Sequence, residues 1–247
     1  MNERQTEILK ILSTTGTISV NELVDQLGVS GVTIRQDLNI LEEEGFVKRV
    51  HGGVELKNTD DISRRLTINY EQKLKIAKRA ANFVESGDTI LIESGSTNTI
   101  LAKELTKPEN LTVITLNVVI AREFRKNEKS NVILLGGNYQ KESETLIGPL
   151  TKICLSHVNF KKAFIGVDGY SIEAGFTSKD MMRAEISAEI VKKAETVFVL
   201  TDSSKFGRRE LVKLFDIDHV DYVITDGGIP EKERDYLIKK GIKLVIC

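Results

Sequence analysis

The first residues of chemical interest form a run of small and hydroxyl-bearing side chains, Glu93 to Thr97, between an apolar segment and a stretch with helical periodicity. Backbone N–H groups at the start of a helix can bind an anion, and nearby serine, threonine and glycine add donors and permit close approach. The run matches neither a P-loop nor a dinucleotide-binding glycine motif. The alternative is that these hydroxyls only cap the helix. The candidate anion ligands are Ser94, Gly95, Ser96 and Thr97.

Polar or glycine residues also follow four other apolar segments, and each group alone is compatible with an ordinary turn. If those segments are parallel strands, the groups lie on one edge of the sheet, where α/β proteins bind ligands. There Lys205 would supply positive charge and Asp168 would accept hydrogen bonds from sugar hydroxyls. We therefore predict a site for a phosphorylated sugar or polyol. Its further candidate residues are Asn117, Gly136, Gly137, Asp168, Gly169 and Lys205.

A second constellation lies in the segment from Leu27 to Gly45, LGVSGVTIRQDLNILEEEG, which reads as a turn followed by a helix. A serine at position 30 suits the N-cap, and a glycine at position 45 suits the residue beyond the helix end. At about 100° per residue, Ile34, Leu38 and Leu41 share one buried stripe. The opposite side offers the polar groups that a recognition helix presents to base edges and phosphates. The candidate DNA contacts are Ser30, Val32, Thr33, Arg35, Gln36 and Asn39.

The flanking segments strengthen this interpretation. Residues 7–12 have helical spacing, and Ser19 with Glu22 forms a capping box that opens a second helix. Downstream, residues 46–56 read as two short strands joined by a turn, a basic wing. Helix, capped helix, capped polar helix and wing together predict a winged helix-turn-helix that binds duplex DNA. The candidate contacts in the wing are Lys48, Arg49 and His51.

The charge of this segment predicts more than one copy at the DNA. Residues 1–56 contain five Lys or Arg against nine Asp or Glu, and the whole chain has a formal net charge of −1. Non-specific affinity depends on phosphate neutralisation, so one copy should bind weakly. We therefore predict a homodimer or higher homo-oligomer on paired half-sites.

The rest of the chain has a different pattern. Residues 57–69 are polar and lack sustained periodicity, so we interpret them as a linker between a DNA-binding domain at 1–56 and a second domain at 70–247. A helix resumes at Tyr70, and we expect its basic residues to be solvated. The residues that we expect to face inward are Leu74, Ala77, Ala81 and Val84. The basic residues are Lys73, Lys75, Lys78 and Arg79.

Beyond Gly87, short apolar runs alternate with helical stretches, which predicts an open parallel sheet of the α/β class. The predicted strands are Thr89–Ile92, Leu111–Ile114, Val132–Leu135, Ala163–Val167, Thr196–Leu200, Tyr222–Thr225 and Lys243–Ile246. The predicted helices are Thr97–Leu105, Val118–Lys126, Lys179–Ala194 and Glu231–Lys240.

Composition excludes several classes of protein. The chain is 40% hydrophobic and 29% charged, and it has neither an apolar run of membrane-spanning length nor a signal-peptide core. We expect a cytoplasmic protein with no membrane association. Cys154 and Cys247 lack metal-ligand spacing and are interpreted as free thiols, and the three histidines are scattered. We expect no metal site and no cofactor. The histidines are His51, His157 and His219.

Both halves resemble the DeoR family of bacterial transcriptional regulators. The resemblance is carried by TIRQDLNILEEEG and HGG in the first half, and by IESGSTNTILAKEL, LLGGNY, IGPL, KAFIGVDGY, GFTSKD and LTDSSKFG in the second. It implies a winged helix-turn-helix joined to a sugar-phosphate-sensing domain similar in fold to ribose-5-phosphate isomerase. Three positions depart from the family pattern. Gln36 replaces the second of two arginines, Glu93 stands where aspartate is frequent, and Gln140-Lys141 stands where an arginine often follows the double glycine.

Two functions from different classes follow. The first is a transcriptional regulator, a repressor of a carbohydrate gene cluster, whose DNA binding responds to a phosphorylated sugar or polyol. The alternative is a sugar-phosphate isomerase with an accessory DNA-binding domain, in which Asp168 or Glu185 would be the general base. An isomerase needs no winged helix. Residues 1–56 therefore favour a regulator that is not an enzyme.

Overall fold

The computed structural model of the chain describes residues 2–43, 46–56, 61–105 and 108–247. The chain divides into two compact units, Met1–Tyr70 and Glu71–Cys247. The predicted helix end at Gly45 and residues 57–60 of the predicted linker lie outside the described residues.

The first unit is a small helical bundle with a three-stranded antiparallel sheet. As predicted, Ile34, Leu38 and Leu41 are buried together, and they pack in one core with residues of the first two helices, such as Ile8 and Leu23. The elements are α1 (Glu3–Thr15), β1 (Thr17–Ile18), α2 (Val20–Leu27), α3 (Gly31–Glu43), β2 (Val47–Val50), β3 (Gly53–Leu56) and α4 (Ile62–Thr67).

Local hydrogen bonds explain where these helices begin. The Ser19 hydroxyl accepts from the Glu22 amide at 3.2 Å, and the Glu22 carboxylate accepts from the Ser19 amide at 2.8 Å. This is the predicted capping box of α2. The helix ends at Gly28, whose left-handed backbone (φ 65°) permits the tight turn into α3. The Ser30 hydroxyl accepts from the Thr33 amide at 3.2 Å and so caps α3 as predicted.

The wing is the hairpin of β2 and β3, with its turn at His51 and Gly52. Strand β3 also pairs with β1, which the sequence analysis missed because two residues show no alternation. Gly53 is required at this junction. A Cβ atom there would lie 2.4 Å from the Ile18 carbonyl oxygen, too close for any side chain.

Two expectations about the middle of the chain are wrong. Part of the predicted linker is the helix α4, in which Ile62 is buried; six residues are too few to show periodicity. In α5 (Tyr70–Ala81), Lys73 is only 5% exposed although we expected it in the solvated face. The buried stripe includes Ile76 and is rotated from the predicted one, so Leu74 is only half-buried.

The second unit is built on a seven-stranded parallel sheet with the order β15-β14-β12-β9-β4-β5-β6. All seven predicted strands belong to it, with ends that differ by at most one residue. After α5, the elements are β4 (Thr89–Ile92), α6 (Ser96–Glu104), β5 (Thr112–Thr115), α7 (Val118–Glu123), β6 (Asn131–Leu134), β7 (Asn138–Gln140), β8 (Thr145–Ile147), α8 (Pro149–Ser156), β9 (Lys162–Gly166), β10 (Gly169–Ser171), β11 (Gly175–Ser178), α9 (Met181–Lys193), β12 (Thr196–Leu200), β13 (Val212–Phe215), β14 (Tyr222–Thr225), α10 (Glu231–Lys239) and β15 (Lys243–Ile246).

Two smaller sheets were not predicted. Strands β7 and β8 form a hairpin, and β10, β11 and β13 form an antiparallel sheet. These strands are three or four residues long and contain glycine or polar residues, so they carry little pattern. Strands β10 and β11 matter for the site, because β10 begins directly after Asp168 and the Asp168 amide donates to the Thr177 carbonyl oxygen on β11 at 3.0 Å.

Candidate DNA-binding and effector sites

Helix α3 presents the predicted polar face to solvent. Val32 is 64% exposed, and Arg35, Gln36 and Asn39 are also exposed. The Ser30 hydroxyl is occupied by the cap and by Thr33, whose hydroxyl lies 2.9 Å away. Ser30 therefore positions the helix, and the later residues are the ones available to a base edge.

Arg35 differs from the other basic residues of the DNA-binding unit. Within residues 2–43 and 46–56 it alone among them has no ion pair, whereas Lys48 pairs with Glu55 at 2.7 Å and Arg49 pairs with Glu42 at 3.1 Å. A Cβ atom at Gly31 would lie 3.2 Å from Arg35 Nη1. Glycine at 31 thus leaves room for the guanidinium beside the start of α3.

The wing and the recognition helix are joined by Arg49. Its Nε donates to Glu42 at 3.1 Å, and its Nη2 donates to the side-chain oxygen of Asn39. The Asn39 oxygen is thereby engaged, which leaves its NH₂ group as the donor for another partner. Lys48, Arg49 and His51 are all exposed on the wing.

A buried carboxylate that the sequence analysis missed fixes α3 against α1. Asp37 is 3% exposed, accepts from Gln5 Nε2 at 3.1 Å, and pairs with Arg4. This hydrogen bond to Asp37 raises the pKa of the Arg4 guanidinium. An aspartate between Gln36 and Leu38 has no sequence signal for burial, because its partners lie more than thirty residues away.

The candidate effector site begins where α6 starts. Its N-cap is Gly95, with φ 129°, and no side chain among the described residues caps the helix. Ser94, Ser96 and Thr97 are each less than a tenth exposed. Within the described part of the chain, none of their hydroxyls has a hydrogen-bond partner. Helix capping by these hydroxyls, the alternative interpretation, is therefore absent from the structure.

Asn98 and a close approach of the backbone hold this segment on the sheet. Asn98 Nδ2 donates to the carbonyl oxygens of Glu93 and Phe164, both at 3.1 Å. A Cβ atom at Gly166 would lie 3.1 Å from the Ser94 carbonyl oxygen. The start of α6 therefore sits against the carboxyl end of β9, next to its own strand β4.

Glu93, directly after β4, is 4% exposed. Its Oε2 accepts from the Gly166 amide at 3.1 Å, and its Oε1 accepts from the Ser187 hydroxyl. Burial raises the pKa of Glu93 to about 7; the two hydrogen bonds and the charge of Arg183 oppose this shift. Near neutral pH this carboxyl group thus changes charge beside the predicted anion site.

Asp168, after β9, is also buried. It accepts from the Ser178 hydroxyl at 3.1 Å and from the Lys179 amide at 3.2 Å, and it lies 3.7 Å from Arg183 Nη2. The sequence gives no signal that Arg183 lies beside these carboxylates. This residue lies within a helical pattern, where an arginine is usually exposed.

Several other predicted ligands have structural roles. The Asn117 side chain caps α7 through Ile120 N at 3.1 Å and donates to the Ser143 carbonyl oxygen at 2.8 Å. At Gly137, a Cβ atom would meet Thr151 Oγ1 at 2.0 Å, and at Gly169 it would meet the Arg208 carbonyl oxygen at 2.8 Å. These residues shape the loops at the edge of the sheet.

Gly136 is exposed, directly before Gly137. Lys205 ends a short 3₁₀ helix, Ser203–Lys205, after β12 and is half-buried. Glu185, the alternative general base, is exposed on α9 and pairs with Lys152 at 3.0 Å.

The described residues contain no group of three or more His, Cys, Asp or Glu side chains that could hold a metal ion. Among the described helices, none is both long and apolar enough to cross a bilayer.

A helix-turn-helix with a wing, followed by a parallel α/β unit with a polar carboxyl edge, defines the class of ligand-sensing transcriptional regulators. The DeoR-like helix-turn-helix domain matches residues 4–60, and the DeoR C-terminal sensor domain matches residues 68–227. The chain belongs to the DeoR family of transcriptional regulators. This confirms the family resemblance and the prediction of a regulator rather than an isomerase.

Named relatives match nearly the whole chain. The regulator GolR of Listeria innocua is 35% identical, covering 92% of this chain and 91% of its own. The glycerol-3-phosphate regulon repressor of Haemophilus influenzae is 30% identical, with coverages of 99% and 96%. A putative aga operon transcriptional repressor of Escherichia coli O157:H7 is 29% identical, with coverages of 99% and 93%.

Solved structures with a similar fold include a D-ribose-5-phosphate isomerase in complex with phospho-erythronic acid. It has a TM-score of 0.41 and 16% identity, covering 56% of this chain and 54% of the isomerase. The translation initiation factor eIF-2B of Pyrococcus horikoshii OT3 has a TM-score of 0.44 and 16% identity, with coverages of 89% and 86%.

Proposed function

We propose that this regulator represses a carbohydrate-metabolism gene cluster and that a phosphorylated sugar or polyol modulates its binding to operator DNA. The observation that carries the effector class is the start of α6, where Ser94, Ser96 and Thr97 are largely buried and their hydroxyls have no hydrogen-bond partner among the described residues. These hydroxyls are therefore available to a ligand, and together with the free N–H groups of a first helical turn they suit a phosphate. The name of the glycerol-3-phosphate regulon repressor of Haemophilus influenzae supports this class.

On DNA, α3 would enter the major groove with Val32, Arg35, Gln36 and Asn39, while the wing contacts phosphates. Because only Arg35 among the basic residues described in residues 2–56 lacks an ion pair, one copy neutralises few phosphates. We infer that two or more copies bind paired half-sites. Because the proposed partner is DNA, we infer a cytoplasmic location.

Effector binding and DNA binding would be linked through two populations of the regulator, only one of which is competent to bind the operator. A ligand shifts such an equilibrium by its differential affinity for the two populations. Of the other predicted effector residues, Asp168 and Lys205 would orient the sugar while the start of α6 holds its phosphate.

The test is thermal denaturation of the full chain with phosphorylated sugars and polyols, each beside its unphosphorylated form. A ligand that binds only the folded state raises the melting temperature with concentration. Ser96→Asp places a carboxylate in the phosphate position at a helix start that tolerates it, and it should abolish the shift. Ser171→Asp is the matched control, since its side chain accepts from the Ala174 amide and a carboxylate can do the same. A phosphorylated ligand that stabilises Ser96→Asp as strongly as wild type would contradict the proposal.

A further inference from the structure

Arg183 is a buried cation beside the candidate effector site. It is 8% exposed, and its nearest charged partner is Asp168, 3.7 Å away. Its guanidinium has five N–H donors. Among the described residues none of them makes a hydrogen bond, and the Nε atom is fully buried without a partner.

This arrangement is unfavourable for the ligand-free protein. A buried donor such as Nε loses its hydration without a compensating hydrogen bond. Asp168 offsets the charge of Arg183 but not the missing hydrogen bonds, because its distance of 3.7 Å exceeds a hydrogen bond. The guanidinium is thus preorganised for an acceptor that the protein does not provide.

The position of Arg183 indicates which acceptor. The charge of Arg183 acts on Glu93, which directly follows β4, and Arg183 pairs with Asp168, which lies two residues beyond the end of the neighbouring strand β9. The segment from Ser94 to Thr97 continues directly from Glu93 and lies against β9. Arg183 therefore lies at the same edge of the sheet as the unpartnered hydroxyls.

We propose that Arg183 is the specificity-determining residue of the effector site and binds the phosphoryl oxygens of a phosphate monoester held at the start of α6. The inference rests on the proposed function. Arginine pairs with phosphate through two parallel hydrogen bonds, a geometry that neither a sugar hydroxyl nor a lysine reproduces. Arg183 would thus select phosphorylated over unphosphorylated ligands, while Asp168 balances its charge in the empty site.

Helix α9 gives this contact a route to other elements. The Arg183 amide donates to Asp180 Oδ1 at 2.8 Å, and Gln140 on β7 donates to Asp180 Oδ2 at 2.5 Å. A ligand bound by Arg183 would therefore act on the start of α9 and on the β7–β8 hairpin together.

The test uses the full chain and inorganic phosphate as the probe, titrated at constant ionic strength against chloride while the melting temperature is followed. Wild type and the exposed control Arg125→Gln should be stabilised equally. In Arg183→Met, the dissociation constant for phosphate should rise about ten- to hundredfold, the loss expected for charge-assisted hydrogen bonds. Arg183→Lys keeps the charge and a folded core but loses the paired hydrogen-bond geometry. Its dissociation constant for phosphate should therefore lie between the values of wild type and Arg183→Met.

The outcomes separate this inference from the proposed function. Phosphate affinity that is unchanged in Arg183→Lys and Arg183→Met would overturn the inference and leave the start of α6 as the anion site. If Arg183→Met does not fold, the phosphate affinity of Arg183→Lys is the deciding measurement. A phosphate affinity equal to that of wild type in Arg183→Lys overturns the inference. A wild-type chain that phosphate does not stabilise contradicts both proposals.

Discussion

Arg49 in the wing donates a hydrogen bond to the side-chain oxygen of Asn39 on the recognition helix, so the two DNA-facing elements share one polar surface. Glu42 holds the same guanidinium from the other side. If Asn39 contacts a base as proposed, Arg49 would set which of its side-chain atoms are available for that contact.

We expect Arg49→Lys to change base preference more than overall affinity. Lysine keeps the charge for phosphate but cannot hold Glu42 and Asn39 at once, so Asn39 is free to rotate. Discrimination between operator and mismatched duplexes should fall by about 1–3 kcal/mol, the value of one oriented base contact. Competition binding at fixed salt measures it, with Lys48→Arg as the control. Unaltered discrimination in Arg49→Lys would show that the bond to Asn39 has no role in recognition.

We expect Arg35 on α3 to contribute to the general affinity for DNA and Gln36 to contribute to base preference. Arg35→Ala removes a cation that has no ion pair among the described residues, so binding to any duplex should weaken. The slope of the logarithm of the binding constant against the logarithm of the salt concentration should become shallower by about one unit. Gln36→Ala should relax base preference and leave the salt slope unchanged. Titrations of operator and random DNA at several salt concentrations measure both. Equal losses on both DNAs for both variants are incompatible with this division.

Glu93 should make the fold less stable as the pH rises. Burial raises its pKa in the folded chain to about 7, above the ordinary 4.5, so the folded state holds a proton that the unfolded state releases. The contribution of this proton to the free energy of unfolding is complete below about pH 4.5. It is lost as the pH rises to about 7, which lowers the free energy of unfolding by about 3 kcal/mol in total.

Glu93→Gln tests this sign. Its amide can donate to the Ser187 hydroxyl and accept from the Gly166 amide, as the protonated acid does. Denaturant unfolding between pH 5 and pH 8 should show a wild-type decline that is much smaller in Glu93→Gln. The exposed Glu195→Gln should behave as wild type. A parallel decline in wild type and Glu93→Gln would assign the pH dependence to other groups.

Lys205 should affect the effector response and not DNA binding. Lys205→Ala is expected to bind operator DNA as wild type does, because the residue lies in the second unit. The effector should no longer release this variant from the operator or recruit it to the operator. Exposed Lys239→Ala on α10 is the matched control. Release of Lys205→Ala at the wild-type effector concentration would remove Lys205 from the site.

The sequence predicts an element well when local interactions define it and poorly when partners distant in sequence define it. The seven parallel strands are short apolar or β-branched runs, and Ile34, Leu38 and Leu41 have helical spacing, so pattern alone predicts them. The burial of Asp37 and Arg183 involves partners distant in sequence, and no local pattern signals it.

The candidate site shows the same limit. Ser94, Gly95, Ser96 and Thr97 could be proposed because they follow a strand and open a helix. The involvement of Asn117 in capping α7 depends on Ser143, which belongs to a turn without a recognisable pattern.

The most direct test of the account is the binding of the full chain to operator DNA in the presence of matched phosphorylated and unphosphorylated ligands. Fluorescence anisotropy of a labelled operator reports the bound fraction for wild type and for Ser96→Asp. The account predicts that a phosphorylated sugar or polyol changes the bound fraction of wild type, while its unphosphorylated form has no effect and Ser96→Asp does not respond. A response of wild type to the unphosphorylated compound alone, or an equal response of Ser96→Asp, would contradict it.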